Sequence, residues 1–180
     1  MINSVTFGAK RIGTVKILKR KGEHYVPYDA DLVKLNINRR NDIRNLISIQ
    51  DSWNTFLAYR LFDLCTALDL HIFNRKYVIL LSEPQKYGRK DNLNPNKILG
   101  ISLFIERPLN RYNKLEILQT NPKYKFGINN RKFTDIGQCL LNFLKKNFSK
   151  KPFKLTSSND ARGFYINNGL KIKGNDFVWG

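Results

Sequence analysis

Apolar residues recur along this chain with two periods, and the switches between them divide it into strands and helices. Ile12, Val15 and Ile17 alternate imperfectly within residues 12–18, which predicts an early strand. KRKGEH (19–24) reads as a turn centred on Gly22. Val33, Leu35 and Ile37 alternate with polar residues, as in a half-buried strand. Asn41 or Asp42 can cap a helix that carries Ile43, Leu46, Ile47 and Ile49. Asp51 or Ser52 can start a second helical pattern through Trp53, Phe56, Leu57, Leu61, Leu64 and Leu68. One bent helix and a helical pair both satisfy that spacing.

YVILL (77–81) reads as a buried strand. The polar segment 83–97, with its Pro, Gly and Asn residues, predicts a long hairpin loop. ILGISLFI (98–105) is apolar on both faces, so it predicts a central strand, stopped by Pro108. LEILQT (115–120) is the next strand, ended by Pro122. Ile136, Leu140, Leu141 and Leu144 then share one face of a helix. Thr134 can cap that helix, and Gly137 in its first turn lets another group approach the backbone. A strand over 153–157, a short helix capped by Asn159 and ended by Gly169, and an alternating strand over 170–178 follow. This order predicts an α/β protein with helices packed on a mixed sheet.

Composition adds a strong bias. The 180 residues contain 32 Lys and Arg against 14 Asp and Glu, a formal charge of +18. Such a field attracts polyanions: nucleic acid, ribosomes, anionic lipid or a phosphorylated cofactor. Abundant Lys and Asn also fit an ordinary solvated surface. Hydrophobic residues make up 42%, enough for a real core, and no apolar run reaches membrane-spanning length. Two Cys and two His, including His24 and His71, offer no metal-ligand spacing. The first residues, MINSVTFGAKRIG, lack the apolar region of a secretory signal. The expectation is a cytoplasmic protein with reduced thiols and no metal.

The chemistry concentrates between residues 115 and 144. A basic loop that feeds a helix N-terminus suits phosphate, because free N–H groups and the positive end of the helix dipole meet there. Three segments in order then resemble the GNAT superfamily of acyl-CoA-dependent N-acyltransferases. ILGISLFI followed by LEILQTNP looks like its paired fourth and fifth strands. RKFTDIGQCLLNFL looks like its pyrophosphate loop and helix, usually Arg/Gln-x-x-Gly-x-Gly/Ala before paired leucines. NDARGFYINNGLKI looks like its closing segment. Here the first basic position falls on Lys132 and the penultimate glycine position on Asp135.

The resemblance implies one domain over 1–180 with a central mixed, twisted sheet of six to seven strands. Residues 97–180 would bind acyl-CoA, and residues 1–96 would carry the acceptor-side helices. It implies pantetheine between splayed strands, bonded to the backbone of Leu118 and Thr120, with Leu118 as oxyanion donor. Lys132, Phe133, Thr134, Asp135, Ile136, Gly137 and Gln138 would surround the pyrophosphate. Asn159 would contact the cofactor or only cap its helix. Tyr165 stands where a general acid for the thiolate is expected, or shapes the pocket. Glu116, and less directly Glu106, are candidate bases, though Glu116 could equally partner the lysines. Tyr124 and Phe126 could stack on a base or cover the core. The resulting expectation is transfer of an acetyl group from acetyl-CoA, or another acyl-CoA, to a primary amine through a tetrahedral intermediate. The acceptor would be small, or a protein or RNA-associated amine. The alternative is a catalytically degenerate module that binds nucleic acid or a protein with its basic surface.

Overall fold

The computed structural model describes residues 9–66, 74–87, 92–125, 131–148 and 150–180, with side chains at all of these except 57, 62, 64 and 66. The expectations placed on the side chains of Leu57 and Leu64, and on Leu68, His71 and Phe126, lie outside that set.

The chain starts as a long ribbon, β1 (Lys10–Lys21) and β2 (His24–Leu35), turned at Gly22 with φ 63°. Both strands are longer than the alternation predicted. Helices α1 (Arg40–Trp53) and α2 (Phe56–Thr66) follow. They are a pair: Asn54 takes the left-handed conformation at φ 45° and ends α1, so Trp53 closes the first helix instead of opening the second. Asn41 and Asp42 lie inside the first turn. Asp42 instead accepts the Asn36 N–H at 2.7 Å, and burial pushes its carboxyl above the ordinary carboxylate value.

Strands β3 (Arg75–Ser82), β4 (Ile98–Glu106) and β5 (Asn113–Thr120) form an antiparallel meander. A two-residue strand β6 (Phe133–Thr134) precedes α3 (Ile136–Asn147). Then come β7 (Phe153–Leu155), α4 (Arg162–Asn167), β8 (Lys171–Lys173) and β9 (Asp176–Trp179). The expected last strand is therefore a hairpin, because Gly174 turns the chain at φ 61°.

Among the described residues nine strands lie in the order β6-β1-β2-β3-β4-β5-β7-β9-β8, two more than the upper expectation. Every described pairing is antiparallel except β5 with β7. Helices cover both faces. On one, Ile136, Leu140, Leu141 and Leu144 of α3 pack on Ile17, Leu32, Leu81, Leu99 and Phe104. On the other, Leu46, Ile49 and Trp53 of α1 and Leu61 of α2 pack on Val33, Val78, Leu80 and Leu103. β4 feeds both cores and is buried from Ile98 to Ile105, as its two-sided apolarity predicts. Each Ile, Leu or Phe side chain so buried stabilises the fold by about 1.5–3 kcal/mol.

Gly100 sets the depth of α3. A Cβ there would lie 2.5 Å from Ile136 Cγ2 and 2.9 Å from Leu140 Cδ1, so only glycine lets the helix sit this close to β4. No described helix is long and apolar enough to cross a membrane.

Candidate active site

The site begins with the two edges of β5. The Asn121 N–H donates to Leu99 O at 2.8 Å, which makes this a hydrogen-bonded pair of the β4–β5 ladder. Stepping back in twos, Gln119 and Ile117 also turn their backbone toward β4. Leu118 and Thr120 turn theirs to the opposite edge. On that edge β7 pairs only at Asn113 and Lys114. Beyond Lys114 the two strands diverge. The splayed neighbour of β5 is thus β7 and not the 98–106 strand, which pairs with β5 from Gly100 to Ile105.

A bulge interrupts that ladder. Leu103 faces Ile117 and Phe104 faces Leu115, so Glu116 is the extra residue. The bulge directs Glu116 to α2, where Oε1 accepts from Arg60 Nη2 at 2.9 Å while Oε2 meets Lys114 Nζ at 2.5 Å. Burial raises the Glu116 pKa, but hydrogen bonds and charge from Lys114, then Arg60, outweigh it and hold the carboxyl below its ordinary value. A carboxylate so paired is a weak base. Glu106 closes β4, where its Oε2 accepts from Tyr77 Oη at 2.9 Å.

The start of α3 forms the second half of the site. Its cap position is Asp135, not Thr134, which pairs with Leu18 of β1. Asp135 lies in the left-handed region at φ 63°, and its side chain makes no capping bond. An αL aspartate costs of order 1 kcal/mol relative to glycine. Asp135 O accepts from Cys139 N at 2.9 Å, so Ile136, Gly137 and Gln138 present the N–H groups that an α-helix leaves without an intrahelical acceptor.

The loop before α3 is held by the ribbon. Arg20 N donates to Lys132 O at 2.8 Å, and Lys19 lies opposite Phe133. The Phe133 side chain is fully buried and tilts against Tyr28, with Tyr124 edge-on at 5.3 Å. Phe133 and Tyr124 are therefore packing aromatics. Lys132 Nζ lies 3.3 Å from Glu83 Oε1 and over the Phe133 ring.

The two halves converge at Gly137. A Cβ there would lie 3.4 Å from the Phe164 ring and 3.7 Å from Thr120 Oγ1, so β5, α3 and α4 come together around this glycine. Beside Phe164, Tyr165 is 7% exposed and packs on Phe177. Burial pushes its phenol up to about 12, so it keeps its proton at neutral pH. Asn159 is exposed in a short 3-10 turn before α4 and is not its cap.

Arg60, Lys114, Glu83 and Phe164 shape this region without having been picked out for those roles. Only Lys114 carried a sequence signal, since a strand places residues two apart on one face. A groove of about 710 Å³ opens elsewhere, along Arg11, Lys16, Asp29, Asp31 and Tyr87. Its charges satisfy one another: Arg11 with Asp31 at 2.6 Å and Lys16 with Asp29 at 3.2 Å.

Neither a protein-family model nor a curated protein sequence matches the chain significantly. Solved structures do. Tetrahymena GCN5 superposes with a TM-score of 0.52 at 14% identity, over 84% of this chain and 94% of its own. Escherichia coli ElaA gives 0.49 at 11% identity, over 83% and 97%. The PaiA N-acetyltransferase of Thermoplasma acidophilum, solved with coenzyme A, gives 0.44 at 18% identity, over 83% and 96%. The chain has the fold of the GNAT N-acetyltransferases.

Proposed function

We propose that this protein is an N-acyltransferase that uses acetyl-CoA, or another acyl-CoA, and a primary-amine acceptor. The observation that carries the reading is the convergence at Gly137 of a helix start without a side-chain cap and a strand edge that, among the described residues, pairs with no strand beyond Lys114. Both present backbone groups, and a ligand with an anionic end and an amide-bearing arm satisfies both. When bound, the cofactor supplies an activated acyl thioester.

The N–H groups of Ile136, Gly137 and Gln138 bind the pyrophosphate, helped by Phe133 N–H, which the ladder with β1 turns outward. Lys132 adds a counter-charge once it leaves Glu83. Asp135 opposes the anion and is offset by Arg131 and Lys132. The backbone of Leu118 and Thr120 pairs with the pantetheine amides, and the Leu118 N–H stabilises developing negative charge on the thioester oxygen. Asn159, exposed in the turn before α4, would be a further cofactor contact. Tyr165 would donate a hydrogen bond to the leaving sulfur; a phenol held at about 12 does not give up its proton to a thiolate at about 8.5, so the thiol takes its proton from solvent. Glu116 accepts the amine proton through water, at a rate limited by its pairing with Arg60 and Lys114.

Calorimetry with acetyl-CoA tests the binding half, and thiol release with a panel of primary amines tests the chemistry. We expect micromolar cofactor binding and amine-dependent release. Absence of heat and of a thermal shift at millimolar cofactor rejects the proposal. The doubly paired Glu116 favours a second reading, a cofactor-binding module without turnover. Tight cofactor binding with no acceleration by any amine would select it.

A further inference from the structure

On its β2 edge the tip of the β1–β2 ribbon extends past β3. Residues 21–27 are all exposed, and β3 pairs with β2 only from Asp31 onward. Arg20 and Lys21 lie at this tip. The loop of Arg131 and Lys132 is fastened to it, through Arg20 N to Lys132 O at 2.8 Å and Tyr25 Oη to Arg131 O at 3.0 Å. Lys123 and Lys125 continue the border, both exposed, on either side of Tyr124 where it packs on Phe133. Lys19 lies behind them over the Tyr28 ring at 4.4 Å. Tip and loop join two distant, basic pieces of sequence into one strip, against which stand two carboxylates, Glu23 at the tip and Glu83, 3.3 Å from Lys132 Nζ.

Tyr25 adds something charge alone does not. It is 40% exposed, yet its hydroxyl is tethered to the loop. A ring displayed to solvent and fixed in place is a stacking surface for a planar group. Phosphates at regular spacing with accessible base faces describe a single-stranded nucleic acid, because a duplex hides those faces.

We propose that this strip binds single-stranded nucleic acid, its phosphates on Lys21, Lys123, Lys125 and their neighbours and one base on Tyr25. The +18 charge of the chain draws the polyanion in, and the strip determines where it lands. This inference stands independently of acyl transfer.

The test is fluorescence anisotropy with labelled single-stranded RNA and DNA and a matched duplex, at about 50 mM and about 200 mM salt. Lys21→Gln/Lys123→Gln/Lys125→Gln is compared with Arg40→Gln/Arg44→Gln/Lys146→Gln, which removes equal charge from exposed positions on α1 and α3. Thermal melts and acetyl-CoA calorimetry on each variant separate lost folding or a failed acyltransferase reading from lost nucleic-acid binding. We expect salt-sensitive binding of single strands. The strip variant should bind about tenfold more weakly, with a salt slope smaller by about 2, while the control changes less than about twofold. Tyr25→Ala should weaken single strands by about fivefold or more and leave duplex unchanged. Equal losses in both triple variants would assign binding to diffuse charge and overturn the proposal. So would duplex preference or indifference to Tyr25→Ala.

Discussion

β5 meets two neighbours on different terms. Toward β4 it is paired from Lys114 to Thr120, interrupted only by the bulge at Glu116; toward β7 it is paired at Asn113 and Lys114 and then left open. The first edge is ladder and core. The second, among the described residues, has no strand partner beyond Lys114 and lies beside a helix start without a side-chain cap. Within one strand, a shift of a single residue moves a backbone amide from holding the fold to being available to a ligand.

Proline scanning breaks this comparison most directly. Gln119→Pro removes an N–H that faces β4 and should cost about 3 kcal/mol or more, read as collapse of the thermal transition. Thr120→Pro removes one facing the open edge, so the fold should survive while acetyl-CoA calorimetry goes silent. Equal destabilisation by the two would mean that β5 has no functional edge. Next, Tyr165→Phe should lower kcat by about a hundredfold with little change in Tm. Because the phenol keeps its proton up to about pH 12, the wild-type rate should not fall on the alkaline side on its account. Gly100→Ala should cost about 2 kcal/mol and weaken cofactor binding at a distance, since the methyl pushes Ile136 and Leu140 and lifts α3.

Asp135→Gly has the opposite sign. It relieves a left-handed backbone and removes a carboxylate from the helix start, so stability should rise by about 1 kcal/mol and the cofactor should bind more tightly. Thermal melts and calorimetry on one preparation measure both. The smallest effect concerns Glu116. Its folded pKa is lowered, so its contribution to stability is complete above the ordinary value of 4.5 and fades as pH falls through the folded value. Glu116→Gln should flatten the loss of Tm below about pH 4.5. Arg60→Gln should move the acidic limb of kcat/KM to higher pH.

Legibility in the sequence followed locality. ILGISLFI announced a central strand because burial on both faces leaves a continuous apolar run. The helix of Ile136, Leu140, Leu141 and Leu144 was equally plain. The open edge was not, because β5 and β7 are joined through α3 and no local pattern records where parallel strands diverge. The first half of β2 was hidden by Pro27. Proline is tolerated there because its pairing with Leu18 turns the missing donor toward the side that β3 does not reach. Asp135 was legible as a departure from glycine, but its φ of 63° was not. The pairing of Glu116 with Arg60 depends on a bulge that inserts one residue, which no alternation rule anticipates.

The two-residue pairing of β6 with β1 also bears on the order of folding. Leu18 and Lys19 wait for Thr134 and Phe133, which are made much later in synthesis, and closing so large a loop is entropically costly until the sheet between them exists. The ribbon, the meander and α3 must therefore condense before this junction can close. The helix start takes its final shape as a late event, and a chain trapped short of that event would retain most of its core while the proposed phosphate site stayed unformed.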